Sequence, residues 1–263
     1  LKMLFRDRTT SLAECLALLV SSSASWWTAD AVKSRAWAPP DDKASLARSL
    51  DGAISAEKVR DCTADQHLVF LHIPKNAGTA IEDAAGEAGV KWGRKMDFSQ
   101  CGFEGKEGKG KCSVYWHEPP ALMKAVTLYT TAKVFCVVRN PFERAISEFK
   151  YVVGHPEYRW GFSDMIDRLG CSALNPWLSG VLGEYLSNDV YEQLCHMLPQ
   201  SEYIWSAPDS WGMQWQYCSE VLRLEEFPDA FTQLMDRYNY SVRLKGRSNA
   251  GSCPELSVRN LTS

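Results

Sequence analysis

The residues with the clearest chemical potential stand in a short polar segment that follows an apolar run. The segment consists of Pro74, Lys75, Asn76, Ala77, Gly78, Thr79 and Ala80. A turn at the carboxyl end of a parallel strand directs several backbone N–H groups to one point, and the dipole of the next helix adds positive potential there. Lys75 contributes a mobile charge, Thr79 contributes a hydroxyl group, and Gly78 allows a close backbone approach. These residues are therefore expected to bind an anion such as a phosphate group.

The order of these residues differs from the Walker pattern. That pattern, GxxxxGK[ST], places its lysine directly after the second glycine, whereas Lys75 comes three residues before Gly78. The alternative interpretation of the segment is an ordinary strand-to-helix turn with a solvated lysine.

A second polar segment, Arg139–Ser147, follows a second apolar run. Pro141 suits the first turn of a helix, where its missing N–H has no intrahelical partner to lose. Arg139 and Ser147 are eight residues apart, a little over two helical turns, so both side chains can reach one side of the helix. A guanidinium and a hydroxyl that converge there would bind a second phosphate. The alternative is a helix-capping arginine and a surface serine.

Short apolar runs and helical patterns alternate around these two segments. The runs His67–Ile73 and Lys133–Val138 have the length of buried parallel strands. A further strand is predicted at Glu220–Leu224. Helices are predicted at Thr79–Ala88, Phe142–Val152, Asp189–Met197 and Phe227–Tyr238. Strand, turn and helix repeated in this way predict an α/β fold, with a P-loop-like parallel β-sheet flanked by helices in a single domain.

Composition restricts the class of protein. The chain has 263 residues, of which 45% are hydrophobic and 23% charged, and its formal net charge is −3. This balance excludes a disordered acidic tail and a small disulfide knot, and it allows one sizeable domain. A protein that coats nucleic acid normally presents a basic domain. No nucleic-acid partner is therefore expected, although the charge is compatible with a local basic pocket for one nucleotide.

The N-terminal part of the chain differs from the rest. Residues 1–64 are predicted to form a leader and stem, and residues 65–263 the folded domain. Basic residues precede the apolar stretch Leu12–Val20, which is the order of parts in a secretory signal. The stretch is shorter than the roughly 20 residues that span a bilayer, so a signal or a truncated membrane anchor is expected here. An amphipathic or disordered leader is the alternative.

Both polar segments resemble motifs of the sulfotransferases. His72–Thr79 is similar to their 5'-phosphosulfate loop, and Val138–Ser147 is similar to their 3'-phosphate segment. The two motifs come in the same order, each after a predicted strand, and the resemblance extends over roughly His67–Asn249. The opening His-Ile-Pro-Lys is particularly similar to the carbohydrate sulfotransferases of the Golgi. Their usual string is HIPKTGGT, from which Asn76 and Ala77 depart.

The resemblance implies the sulfotransferase fold and the donor 3'-phosphoadenosine 5'-phosphosulfate, with adenosine 3',5'-bisphosphate as product and no metal. The sulfuryl group would pass to a hydroxyl or amine of an acceptor, for which the family favours a carbohydrate. Lys75 would stabilise the departing oxygen of the nucleotide together with the loop amides. The loop Pro74–Ala80 would hold the 5' end of the nucleotide, and Arg139 and Ser147 would hold its 3'-phosphate.

Two segments further along the chain add to the resemblance. Leu198–Tyr203 resembles a segment that the carbohydrate enzymes carry before their last strand. Arg243, Lys245 and Arg247 place three positive charges within five residues, and Asn249 follows them. In the family a basic loop with a nearby asparagine often closes over the nucleotide, so Arg247 and Asn249 are expected to contact it. A solvated basic turn is the alternative.

An acceptor hydroxyl needs a general base close to the sulfur atom. His117 is the leading candidate because it lies between the two motifs, where the related heparan enzymes carry a catalytic histidine in a similar segment. Glu118 and Glu82 are alternatives, and His117 itself could instead pack or cap a helix. Among the other histidines, His72 is expected to be structural, and His196 shows no evident route to the loop.

Two features could bear on the acceptor. The segment Lys91–Lys111 carries six basic residues against three acidic ones, an excess that could face an anionic glycan. Its alternative is a glycine-rich surface loop without such a role. Aromatic side chains supply either stacking faces for sugar rings or core packing, namely Trp177, Trp205, Trp211 and Trp215.

The nine cysteines bear on the compartment. Spacing suggests that Cys101 pairs with Cys112 and that Cys195 pairs with Cys218, whereas Cys136, inside a predicted strand, is expected to be a free thiol. No cysteine cluster has metal-ligand spacing. Two N-glycosylation sequons, Asn-Tyr-Ser and Asn-Leu-Thr, are also present. These features favour the Golgi lumen, with membrane anchoring at or before the N-terminus.

Two other functions remain open. A P-loop-type small-molecule kinase would bind ATP with Mg²⁺, but the Walker lysine and the Mg²⁺-binding serine are missing from the loop. A catalytically degenerate glycan-binding module would bind glycan without donor-dependent transfer. Replacing His117 would leave such a module unchanged.

Overall fold

A computed structural model shows an α/β architecture for the predicted domain. It describes residues 67–96, 112, 114–122, 128–129, 132–159, 161–186, 195–206, 212–245 and 251–261. The predicted leader and stem, the candidate site residues Arg247 and Asn249, and most of Lys91–Lys111 lie outside the described residues. Within the described part of the chain, no helix is both long and apolar enough to cross a membrane.

In the described residues, three parallel strands form a sheet in the order β1–β2–β3. The strands are β1 at Val69–Leu71, β2 at Val134–Val138 and β3 at Glu220–Arg223. Val69 pairs with Val134 across β1 and β2. Every residue of β1 and β2 is buried, as expected of parallel strands covered on both faces. The three predicted strands are therefore confirmed, and their carboxyl ends lie at one edge of the sheet.

Helices follow the strands as the sequence predicts. The first two are α1 at Gly78–Glu87, after β1, and α2 at Pro141–Gly154, after β2. The later described helices are α3 at Ser163–Leu169, α4 at Leu174–Leu186, α5 at Ser201–Ile204 and α6 at Asp229–Arg237. The predictions for α1, α2 and α6 are confirmed, whereas the sequence pattern did not indicate α3 and α4. Of the predicted helix Asp189–Met197, residues 189–194 lie outside the described residues, and the α-helix does not extend through Met197, because residues 195–197 form turns.

The start of α2 is determined locally. The side chain of Asn140 accepts hydrogen bonds from the backbone N–H groups of Phe142 and Glu143, at 3.0 and 3.3 Å. Pro141 occupies the first helical turn, where its fixed φ suits the helix. Arg139 consequently lies at the end of β2, directly before Asn140, the N-cap residue of α2.

Side chains from the two faces of the sheet enter different layers of the core. Phe70 and Phe135 pack with Ile81 of α1 and Phe231 of α6 on one face. On the opposite face, the core includes Val69, Leu71, Val134, Leu198 and Tyr203. A third cluster joins α2 to α4 and includes the fully buried Trp177, which therefore belongs to the core.

The cysteines pair differently from the sequence prediction. The structure contains the disulfides Cys112–Cys195, Cys136–Cys218 and Cys171–Cys253. The predicted Cys195–Cys218 and Cys101–Cys112 bonds are therefore wrong, and so is the free thiol at Cys136. The observed bonds close loops of 83, 82 and 82 residues, because the fold brings together cysteines that are distant along the chain. Disulfides of this kind are typical of oxidising compartments such as the secretory pathway.

Candidate active site

The loop between β1 and α1 has an unusual backbone for its composition. Lys75 and Ala77 both adopt positive φ, at 67° and 65°. Ala77, with ψ 18°, lies in the left-handed region directly before α1. Residues other than glycine bear a steric cost there, so the surrounding contacts must hold this loop in shape.

Gly78 is required by close packing on a histidine ring. A Cβ atom at this position would lie 2.2 Å from Nε2 of His72. The ring has little room to move, since His72 is buried and its Nδ1 lies 2.7 Å from Oε1 of Glu82. His72 therefore supports the floor of the loop, in agreement with the structural role predicted for it.

Gly78→Ala is expected to destabilise the protein by roughly 1–3 kcal/mol, the usual cost of overpacking a close contact. The added methyl group would push His72 from Glu82 or lift the loop. Ala77→Gly is the matched control, because it relaxes a strained φ and should leave the unfolding free energy within about 1 kcal/mol. Urea unfolding of both variants measures the difference. Equal stability of Gly78→Ala and the native protein would contradict the packing argument.

Gln200 joins the two predicted phosphate-binding segments. Its Oε1 accepts hydrogen bonds from Nδ2 of Asn76 at 2.7 Å and from the backbone N–H of Arg139 at 2.9 Å. Its Nε2 donates to the backbone oxygen of Arg139 at 2.8 Å. Asn76 also donates to the backbone oxygen of Val137 at 2.7 Å. Asn76 thus acts as a bridge between the loop and β2.

Arg144 is a buried cation that fastens the same region from α2. Its guanidinium donates to the backbone oxygens of Pro74 at 2.9 Å, Leu198 at 2.7 Å and His196 at 2.6 Å. Sequence reasoning missed both Arg144 and Gln200. The only local sign was that Arg144 falls on the inner face of an amphipathic helix, where a charged residue requires partners.

Arg139 and Ser147 lie where the second motif was predicted. Nη1 of Arg139 approaches the backbone oxygen of Lys75 at 3.5 Å, and Nη2 lies 3.4 Å from Glu143. The Arg139 side chain is 23% exposed, and Ser147 is partly buried on α2. The structure therefore brings Arg139 against the first loop, at the edge where β1 and β2 end.

Lys75 folds back onto α2. Its Nζ lies 3.7 Å from Oε2 of Glu148 and 4.1 Å from the centre of the Tyr151 ring. Burial lowers the pKa of Lys75, and the charges of Arg139 and Arg144 act in the same direction against the attraction of Glu148. A partly desolvated ammonium with one carboxylate neighbour would gain strongly from an incoming anion.

His117 lies next to two other histidines. The residue ends a short 3₁₀ turn, Tyr115–His117, and its backbone oxygen accepts a hydrogen bond from the hydroxyl of Tyr203 at 2.9 Å. Its Nδ1 lies 3.2 Å from Nε2 of His196, and its ring meets that of His72 edge to face at 4.9 Å. The prediction that His196 has no route to this region is wrong, because the Cys112–Cys195 disulfide joins the two histidine-bearing segments.

The environment of His117 favours a neutral ring. Burial lowers its pKa well below the ordinary value, and the neighbouring groups His72, His196, Lys75 and Arg144 act in the same direction. A neutral imidazole keeps one nitrogen without a proton. His117 is therefore unprotonated at neutral pH and presents a lone pair to a proton donor.

The other two candidate bases have different surroundings. Glu82 is fully buried and contacts both His72 and Arg94, whose Nε lies 3.2 Å from Oε2. Those contacts suit a structural carboxylate that positions the ring beneath Gly78. Glu118 is also buried and follows His117 directly. Of the three groups, His117 combines partial exposure with a lone pair.

Two residues of the basic segment Lys91–Lys111 have acidic partners. Arg94 contacts Asp83 at 2.6 Å as well as Glu82, and Lys95 lies 3.5 Å from Asp83. Their charge is therefore balanced within the fold. The remaining basic residues after Met96 lie outside the described residues.

Comparisons with protein-family models, with curated protein sequences and with solved structures gave no match to this chain. The assignment of a function therefore depends on the residues and their geometry. Three parts of that geometry matter most: the Lys75 loop, the adjoining Arg139 and the neutral His117.

Proposed function

We propose that the protein is a sulfotransferase that uses 3'-phosphoadenosine 5'-phosphosulfate and transfers its sulfuryl group to a hydroxyl or amine, with a carbohydrate as the favoured acceptor. The observation that carries this proposal is the meeting of two cationic segments at the carboxyl ends of neighbouring parallel strands. Arg139 at the end of β2 contacts the backbone of Lys75 after β1. Ligands of open α/β sheets bind at such an edge.

The residues present fit a donor with two separate anionic groups. Lys75 and Arg139 supply two cations, and the first turn of α1 contains no acidic residue. Gln200 holds both loops and Arg144 holds the first one, so the binding groups are positioned in advance. A second phosphate on the 3' side is the feature that separates this donor from ATP.

His117 and Lys75 have complementary roles in the proposed transfer. Bound donor supplies an activated sulfuryl group. His117 removes the proton of the acceptor hydroxyl at its unprotonated nitrogen, while the acceptor oxygen forms the new bond to sulfur. Lys75 would stabilise the negative charge that develops on the departing phosphate oxygen, which would keep the electron pair of its bond to sulfur.

The compartment proposed for this reaction is the Golgi lumen. The three disulfides among the described residues suit an oxidising compartment of the secretory pathway. Asn239 of the first sequon is exposed directly after α6, as a glycan acceptor must be. The Golgi itself is inferred from the resemblance to its carbohydrate enzymes.

Nucleotide selectivity tests the proposed donor. Adenosine 3',5'-bisphosphate is expected to bind at least about tenfold more tightly than adenosine 5'-phosphate, because a hydrogen bond to a charged group contributes about 1.5–3 kcal/mol. Arg139→Ala should remove most of that preference and leave binding of the 5'-phosphate nucleotide nearly unchanged. Arg168→Ala, on the exposed side of α3, is the control. Calorimetry measures all three proteins.

The same titrations separate the alternative functions. Tighter binding of ATP with Mg²⁺ than of the bisphosphate would contradict the proposal and favour a small-molecule kinase. Glycan binding without transfer of radiolabelled sulfate from the donor would favour a degenerate binding module. Transfer screened across glycan and small-molecule pools identifies the acceptor class.

A further inference from the structure

The buried side chains of Glu148 and His196 form a series of contacts that ends at His117, the candidate base. Oε2 of Glu148 lies 2.8 Å from Nδ1 of His196, and Nε2 of His196 lies 3.2 Å from Nδ1 of His117. Glu148 is fully buried and His196 is 5% exposed. The three groups come from α2, from the turn after Cys195 and from the 3₁₀ turn before Glu118.

The protonation states of Glu148, His196 and His117 are linked in that order, starting from the carboxylate of Glu148. Burial by itself would raise the pKa of Glu148, but His196, Lys75 and Arg144 outweigh it, and the pKa lies below its usual value. An ionised carboxylate only accepts hydrogen bonds, so Nδ1 of His196 must donate. If His196 carries only this one proton, its Nε2 presents a lone pair. Nδ1 of His117, 3.2 Å away, would then be the donor between the two rings.

We propose that Glu148 and His196 are positioning residues that hold His117 in the tautomer with its proton on Nδ1, leaving Nε2 to accept the proton of the acceptor. The catalytic consequence rests on the proposed transferase function. When His117 takes up that proton, the new positive charge is coupled through His196 to the carboxylate of Glu148. A carboxylate that orients a catalytic histidine through its other nitrogen is an established arrangement in enzymes; here a second imidazole is interposed.

Other charged groups lie near Glu148, His196 and His117 on neighbouring elements. Lys75 approaches from the first loop, and Arg144 lies one turn before Glu148 on α2. His72 lies at the end of β1, with Glu82 of α1 behind it. Burial, together with His72, Lys75 and Arg144, favours a neutral His117 before the reaction. Glu148 remains the carboxylate connected to His117 through His196.

The test combines the tautomer of His117 with the rate of transfer. His196→Asn is the central variant, because an asparagine amide can replace the Nδ1 donor to Glu148 but cannot reach His117. Nitrogen-15 NMR of labelled histidines in the native protein should find the His117 proton on Nδ1, and in His196→Asn a mixture of tautomers. The variant should lose about 10²-fold in kcat with little change in KM for the donor. His67→Asn, the same change at an exposed histidine, should alter neither quantity.

Glu148→Gln supplies a second measurement that does not depend on His196. The amide still fills the site and can accept a hydrogen bond, but its charge is lost, so kcat should fall and its dependence on pH should change. A merely structural role for His196 predicts that His196→Asn keeps the native rate and pH profile. That result, or a His117 proton found on Nε2 in the native protein, would overturn the inference.

Failure of the proposed function is distinguishable from failure of this inference. If the native protein transfers no sulfuryl group but its His117 tautomer responds to His196→Asn, the transferase function is wrong and the positioning role stands. If transfer occurs and the tautomer does not respond, the positioning role is wrong and the transferase function stands.

Discussion

Lys75→Met should lower the rate of sulfuryl transfer by about 10²–10³-fold, the usual cost of losing one group that stabilises developing charge. Methionine is close to lysine in length and keeps the contact with the Tyr151 ring, which lies 4.1 Å from Nζ. It removes only the charge. Because that charge is partly desolvated and its pKa is lowered by burial, its loss should cost little stability.

Steady-state kinetics and nucleotide titration measure this effect together. The native rate should also decline at alkaline pH as Lys75 loses its proton, at a pH below the ordinary lysine range because its pKa is lowered. Lys95→Met is the matched control, since Lys95 is 37% exposed and pairs with Asp83. Full transfer activity in Lys75→Met would remove Lys75 from the leaving-group role. The positioning role of Glu148 and His196 would still be tested by the tautomer of His117.

Arg144→Met should be the most destabilising of the substitutions considered, by about 3–5 kcal/mol. The side chain donates to three backbone oxygens, those of Pro74, Leu198 and His196. Each buried carbonyl left without a donor costs about 1–3 kcal/mol. Loss of this cation should also weaken nucleotide binding, because the first loop and the His196 turn would no longer be fastened to α2.

Urea unfolding and thermal melting check the size of that effect. For a domain of this length the expected loss corresponds to a fall in Tm of roughly 6–20 °C. Arg168→Met, at an exposed position of α3, should change the unfolding free energy by less than about 0.5 kcal/mol. A loss below about 1 kcal/mol in Arg144→Met would show that the three hydrogen bonds contribute little to the fold.

Local sequence patterns predicted the elements that carry the site. Continuous apolar runs, Pro141 after Arg139, and the turn at Gly78 depend on interactions between residues that are close in the chain. Since parallel strands end at one edge of a sheet, those patterns also predicted that the Lys75 loop and Arg139 would lie near each other. The contact between Arg139 and the backbone of Lys75 agrees with that prediction.

The pairing of cysteines illustrates what the sequence left open. Short spacing suggested Cys195 with Cys218, but the structure joins each of them to a cysteine more than 80 residues earlier. The entropic cost of closing a loop rises only slowly with the length of the loop. The order of strands in the sheet, and not distance along the chain, therefore decides which cysteines meet.

The sequence by itself determined the strand–turn–helix units, the cationic residues at their junctions and His117 as candidate base. Only the tertiary structure decided which distant groups hold them: Gln200 between the two loops, Arg144 beneath three carbonyls, and Glu148 with His196 beside His117. The physical reason is that these polar groups are buried. A buried polar group needs a hydrogen-bond partner. The fold supplies that partner from a distant part of the chain, so no periodic sequence pattern predicts it.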